Sequence, residues 1–212
     1  TPYPPFHDAM IAVDGDAAPA LGRLARDRWH KATRYVIPPA QAGRDAWPEK
    51  VAAPFRDIGV ALSRTIPKTE TVDGAREVEA LYVDMIRAAR RYIYLENQYF
   101  TSETIRAALA ERLAAANPPE IVVVTRRLSH GWLEEATMTA LRIRLVSSLR
   151  KADKSGRFEV YYPDTSGLQD GTCIDVHSKV AVVDDRWLRI GSANLSNRSM
   201  GVDTECDITL AG

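Results

Sequence analysis

The stretch HSKVAVVDDRWLRIGSANLSNRS, residues 177 to 199, holds two short apolar runs separated by Asp184, Asp185 and Arg186. β-Prone runs joined by so short a polar turn predict an antiparallel hairpin. A strand alternates its side chains with period two, so Asp175, His177 and Lys179 share one face and Val176, Ser178, Val180 and Val182 the other. With the valine face as core, an imidazole and an ammonium stand side by side, pointing out of the sheet toward a cleft. On the return segment Ser192 and Asn194 offer a hydroxyl and an amide beside Gly191, which permits close backbone approach. A base near neutral pH, a cation and two neutral donors suit a phosphoryl group, whose oxygens gain charge in the transition state. Spacing alone equally fits a surface His and Lys with Ser and Asn as turn residues.

Outward from the hairpin, the chain alternates strands and helices. A strand near Ile58–Leu62 is followed by a helix over Ala75–Ala89, the strand RRYIYLENQYF, a helix over Ser102–Ala116, the strand IVVVT at 121–125, a helix over Trp132–Ser148 and FEVYY at 158–162. This order predicts an α/β fold, an α/β/α sandwich with a mixed sheet, because the closing hairpin and the strand TECDITLA add antiparallel pairs. Ligands of such sheets gather at the carboxyl ends of strands, here Glu96–Phe100, Thr125–Arg127 and the loop after Tyr162. Upstream, a strand over His7–Val13 and a helix capped by Asp16, with Leu21, Leu24, Ala25 and Trp29 at helical spacing, cannot bury their own apolar faces. Pro38, Pro39, Gly43, Pro48 and Pro54 break all periodicity between them and the main unit. The expected organisation is a tail of one unit at 1–35, a linker at 36–54 and a main lobe at 55–212.

The chain of 212 residues has 28 Lys plus Arg against 28 Asp plus Glu, so its charge gives no argument for a polyanionic partner. Nucleic acid would need a local basic groove, and Arg126, Arg127 and LRKADKSGR at 149–157 read equally well as solvated loops. Cys173 and Cys206 do not make a disulfide framework or a zinc spacing, although a single bridge between them stays open. No apolar run is long enough to cross a bilayer, which suits a soluble or peripheral protein. The opening TPYPPFHD reads as an internal segment, so a secreted or periplasmic location stays open.

The pattern HxKxxxxD followed by GSxN, written here as His177, Lys179, Asp184, Gly191, Ser192 and Asn194, resembles the signature of the phospholipase D superfamily. YIYLENQYF at 92–100, NRSM after GSAN, DTE at 203–205 and the opening FHDAMIAVDG agree with it. The resemblance implies that His177 is either the nucleophile that forms a phosphohistidine or the general acid that protonates the leaving alcohol. Lys179 and Asn194 would hold nonbridging oxygens and Ser192 would bind or orient the phosphate. Glu205 would hydrogen-bond the His177 imidazole and fix its tautomer. Asp184, at the hairpin turn, would be a structural acceptor; Asn97 and Gln98 would line the rim and bind substrate. No cofactor or metal is called for.

Family members of this class carry two such signatures, one per lobe, about a pseudo-two-fold axis, and His7, His30 and His130 do not begin a second one. The expectation is therefore one lobe of that two-lobed fold, with half of the site, partnered by the missing N-terminal lobe as a separate chain or fragment. The implied activity is hydrolysis of phosphatidylcholine or phosphatidylethanolamine at a membrane surface to phosphatidic acid and the headgroup alcohol, with transfer to other alcohols. A cardiolipin synthase-like phosphatidyl transferase, a nuclease of the superfamily and a noncatalytic lobe are the alternatives.

Overall fold

The computed structural model describes residues 5–41, 43, 47–128, 132–169 and 171–212. Thr1–Pro4 and His130 lie outside them. The chain order is β1 (Phe6–His7), α1 (Ala17–Thr33), β2 (Gly59–Ile66), β3 (Ala75–Arg76), α2 (Glu77–Ala88), β4 (Tyr92–Glu96), α3 (Glu103–Leu113), β5 (Glu120–Val124), α4 (Trp132–Ala152), β6 (Phe158–Tyr161), β7 (Asp175–Val176), β8 (Val180–Val183), β9 (Trp187–Gly191), α5 (Asn197–Gly201) and β10 (Glu205–Ala211).

Eight strands form one mixed sheet in the order β3-β2-β10-β9-β8-β4-β5-β6. β4, β5 and β6 are parallel, as helical crossovers require, whereas β8, β9 and β10 run antiparallel through short connections. α2, α3 and α4 pack on one face, where Tyr82, Ile86, Ile105, Leu109 and Leu149 meet Ile93, Leu95, Ile121, Val123, Ala181 and Val183 in a single core. Ser102 caps α3 by accepting from the Ile105 amide (3.4 Å). On the opposite face, the segment after β1 and the start of α1 lie over Val60, Leu62, Leu188, Ile190 and Leu210. None of the residues of α1 is buried.

Three expectations change at this level. The N-terminal strand shortens to Phe6–His7, paired in parallel with β7. The single strand expected from Asp175 onward breaks into β7 and β8, because the amides of His177 and Ser178 both turn to the His7 carbonyl (2.7 and 3.2 Å). The expected choice of core face is also reversed: Ala181 and Val183 enter the core, while Val180 and Val182 lie on the other side. His177 stays half-exposed, but Lys179 is buried rather than pointing out of the sheet.

Candidate active site

The hairpin turn explains the aspartate of the motif. Asp184 and Asp185 both take positive φ (53° and 56°), a conformation that Asp tolerates better than most residues and that matches the twist of paired strands. The Asp184 carboxylate turns inward and accepts from the amides of Arg90, Arg91 and Tyr92 (2.6, 2.7 and 2.9 Å). Burial raises its pKa, but these amides outweigh burial and hold it below the ordinary value. Asp184 thus ties the hairpin to the start of β4, at the end of β8 away from His177.

At the other end of β8 the functional groups gather. His177 donates from Nδ1 to Asp8 Oδ2 (3.0 Å), and the Phe6 ring stacks on the imidazole with centroids 5.3 Å apart. A neutral imidazole with its proton held at Nδ1 presents a lone pair at Nε2. Lys179 Nζ donates to the His177 carbonyl (2.5 Å) and to Gln98 Oε1 (3.3 Å). Burial pushes the Lys179 ammonium down to about 8, against the pull of Asp8, Asp175 and Glu205. Gly191 donates its amide to the Lys179 carbonyl (3.2 Å), which starts the Ser192–Asn194 turn beside the lysine.

That turn is held by buried groups. Asp207 accepts from the amides of Ser192 and Ala193 (3.0 and 3.1 Å) and is paired with the buried Arg189 (2.8 Å), whose guanidinium lies 3.7 Å over the Tyr82 ring. A Cβ on Gly191 would fall 2.1 Å from Asp207 Oδ1, so only glycine fits there. From the other side Asn97 accepts from the Leu195 amide (2.9 Å) and donates to the Ala193 carbonyl (3.3 Å). Asn194 lies between these clamps, and its buried carboxamide oxygen has no hydrogen-bond partner among the described residues, so the fold does not consume it.

Two placements correct the expectations. Glu205 does not reach His177: it accepts from Ser192 Oγ (2.5 Å), because β10 lies beyond β9 while His177 leaves the ladder toward β1. Burial pushes its carboxyl above the ordinary range despite hydrogen bonds from Ser192 and Ser199. The carboxylate on the imidazole is that of Asp8, 169 positions away in the chain. Asn97 is fully buried with its amide spent on backbone groups, and Gln98 is turned to Lys179, so neither side chain forms an open rim. Cys173 and Cys206 are both free.

Sequence reasoning passed over Asp8 and Asp207, met Glu96 only as the start of a strand-end rim, and read Arg126 equally well as a solvated loop residue, which its burial corrects. Arg126 is buried at the end of β5, paired with Asp175 (3.4 Å) and 4.9 Å over the Tyr99 ring. For Asp8 a signal was available in FHDAMIAVDG, where a carboxylate follows a strand tied to the motif only by resemblance.

An imidazole held by a carboxylate, a buried lysine and a clamped Gly-Ser-x-Asn turn thus meet at one end of β8. Residues 82–212, more than half of the chain, match the family described as "Cardiolipin synthase, PLD-like domain", and the chain belongs to this phospholipase D and cardiolipin synthase superfamily. It is similar to phospholipase D A of Dictyostelium discoideum, at 26% identity over 94% of this chain and 18% of that protein. It is also similar to cardiolipin synthase A of Pseudomonas aeruginosa, at 24% identity over 96% of this chain and 36% of that protein. The chain thus spans well under half the length of these curated relatives. Its fold resembles the phosphatidylserine synthase of Haemophilus influenzae, with a TM-score of 0.56 over 95% of this chain and 43% of that one at 13% identity. The superfamily acts broadly as phosphodiesterases and transferases. Among the described residues no helix is long and apolar enough to cross a membrane.

Proposed function

We propose that this chain supplies half of the active site of a phospholipase D-type phosphodiesterase, which cleaves phosphatidylcholine or phosphatidylethanolamine to phosphatidic acid and the headgroup alcohol. The observation that carries the reading is the Asp8–His177 pair beside the buried Lys179, which leaves Nε2 as the reactive atom. In one step an imidazole nitrogen forms a bond to phosphorus as the bond to the headgroup oxygen breaks, and a second imidazole on the opposite side gives that oxygen its proton. In the next, the second imidazole takes a proton from water, whose oxygen attacks phosphorus and breaks the N–P bond. His177 fills one of these positions. Lys179 and Asn194 hold the nonbridging oxygens, and Ser192, backed by Glu205, orients the phosphate.

A single imidazole cannot occupy both sides of phosphorus. The other is assigned to a second lobe, with residues 1–35 as the tail of that lobe, 36–54 as linker and 55–212 as the lobe described. The family description favours a second reading in which the acceptor is a lipid hydroxyl rather than water, which makes the reaction a phosphatidyl transfer. The two are separated by incubating the protein that contains this chain with vesicles of phosphatidylcholine, phosphatidylethanolamine or phosphatidylglycerol, with a His177→Ala control. Headgroup release from the first two supports the phospholipase reading. Glycerol release with cardiolipin formed only from the third supports transfer, and cleavage of single-stranded DNA alone overturns both.

A further inference from the structure

The Asp8–His177 bond joins chain segments that have little else to hold them together. β1 is only two residues long, and Phe6 and His7 are both exposed. One half-buried carboxylate closes the junction. Glu96, at the end of β4, accepts at Oε2 from His7 Nε2 (2.8 Å) and from Ser178 Oγ (2.7 Å), and at Oε1 from Tyr94 OH (2.5 Å). His7 immediately precedes Asp8 and Ser178 immediately follows His177. A single oxygen therefore fixes the two backbones on either side of the point where the carboxylate meets the imidazole. Burial would raise the Glu96 carboxyl, but the bonds from Tyr94, Ser178 and His7 outweigh it and keep the acceptor ionised.

We propose that Glu96 is a positioning residue that locks Asp8 onto His177. The proposal rests on reading His177 as the reacting imidazole only for its consequence in turnover; the lock itself is a property of the fold. Tyr94 keeps Glu96 in its rotamer, His7 brings the strand that carries Asp8, and Ser178 holds the backbone that carries His177. Other contacts across the junction, the Asp175 amide on the Pro5 carbonyl, the two amides on the His7 carbonyl and the Phe6 ring on His177, set the distance between the strands. They leave the exposed Asp8 side chain free to choose other rotamers unless its own backbone is held.

The test is nuclear magnetic resonance of the 212-residue chain with 15N-labelled histidine, following the Nδ1–H proton of His177 and its exchange with water. Asp8→Ala removes the protected resonance and so assigns it. Glu96→Gln keeps the volume but replaces the charge-assisted bonds from His7 and Ser178 with weaker neutral ones and turns an NH2 toward the Tyr94 hydroxyl that donated to Oε1, and it is expected to speed exchange of that proton at least about 10-fold. His7→Ala, at an exposed position, does the same without touching the core, and His7→Gln, which restores a donor toward Glu96, recovers part of the protection. In the active protein, Glu96→Gln is expected to lower kcat/KM about 10- to 100-fold, the range typical of residues that orient a reacting ligand. The Asp8→Ala/Glu96→Gln double variant should be no worse than Asp8→Ala alone, because both act through one bond. Unchanged exchange in both Glu96→Gln and His7→Ala overturns the proposal, and so does full additivity of the two losses. Absence of turnover in every form, with the exchange results as expected, would contradict the functional reading and leave the lock standing.

Discussion

Replacing Asp184 tests whether the aspartate of the motif serves the fold rather than the reaction. Its carboxylate takes three amide hydrogen bonds, two on Oδ1 and one on Oδ2. Asn is the informative substitute, because it tolerates φ near 53° as Asp does, so backbone strain does not enter. Its oxygen can still accept from Arg91 and Tyr92, but its NH2 then faces the Arg90 amide, a donor against a donor. Losing one charge-assisted bond and leaving one amide unpaired costs about 2–4 kcal/mol. With a urea slope of about 2 kcal/mol per M, the unfolding midpoint should fall by about 1–2 M. Ala removes all three bonds and adds the cost of a positive φ, so its midpoint should fall further. The sign of the pH dependence follows from the lowered pKa. The stabilisation is fully present above the unfolded carboxyl range near 3.9 and is lost as pH falls through the lower folded value, so the gap between wild type and Asp184→Asn should close only in acid. A midpoint for Asp184→Asn within about 0.2 M of wild type at pH 7 would refute this assignment.

Gly191→Ala drives a Cβ into the Asp207 carboxylate and displaces an acceptor of two amides, so it should cost about 3 kcal/mol or more by urea unfolding and disorder the Ser192–Asn194 turn. Asn97→Ala removes the clamp on Ala193 and Leu195; kcat/KM of the active protein should fall about 10-fold or more, with Lys179→Ala as the reference for loss of the proposed phosphate contact. In the proposed reaction the Lys179 cation holds the phosphate, and with its pKa lowered to about 8 kcat/KM should decline as pH rises through that value, whereas Lys179→Arg, at lower activity, should lose this alkaline limb.

How far the sequence reaches is clearest in the hairpin. Two apolar runs around Asp184-Asp185 need only local turn geometry to be recognised, and β8 and β9 pair as that geometry requires. The alternation of strands and helices likewise follows from local periodicity, and the mixed sheet with flanking helices agrees with it. Alternation alone does not say which face is covered: Ala181 and Val183, rather than Val180 and Val182, enter the core, and His177 and Ser178 leave the ladder to bond to a strand from the far end of the sequence. The same long-range pairing puts Asp8, rather than Glu205, on the imidazole, and no local pattern carries that information. Asn97 and Gln98 were recognisable as important polar residues at a strand end. The inward orientation of Asn97 depends on the turn at 193–195, which is set by the distant Asp207 and Arg189, and that of Gln98 on Lys179.

The central claim is that this chain holds half of a two-imidazole site, and mixing its halves tests it most directly. Choline release from phosphatidylcholine vesicles should be compared for the isolated chain, a lobe bearing the second HxK signature, and the two together, with His177→Ala as control. The account predicts no turnover from either part alone, turnover from the mixture, and its loss in His177→Ala. Full turnover by a verified monomer of the isolated chain would contradict it.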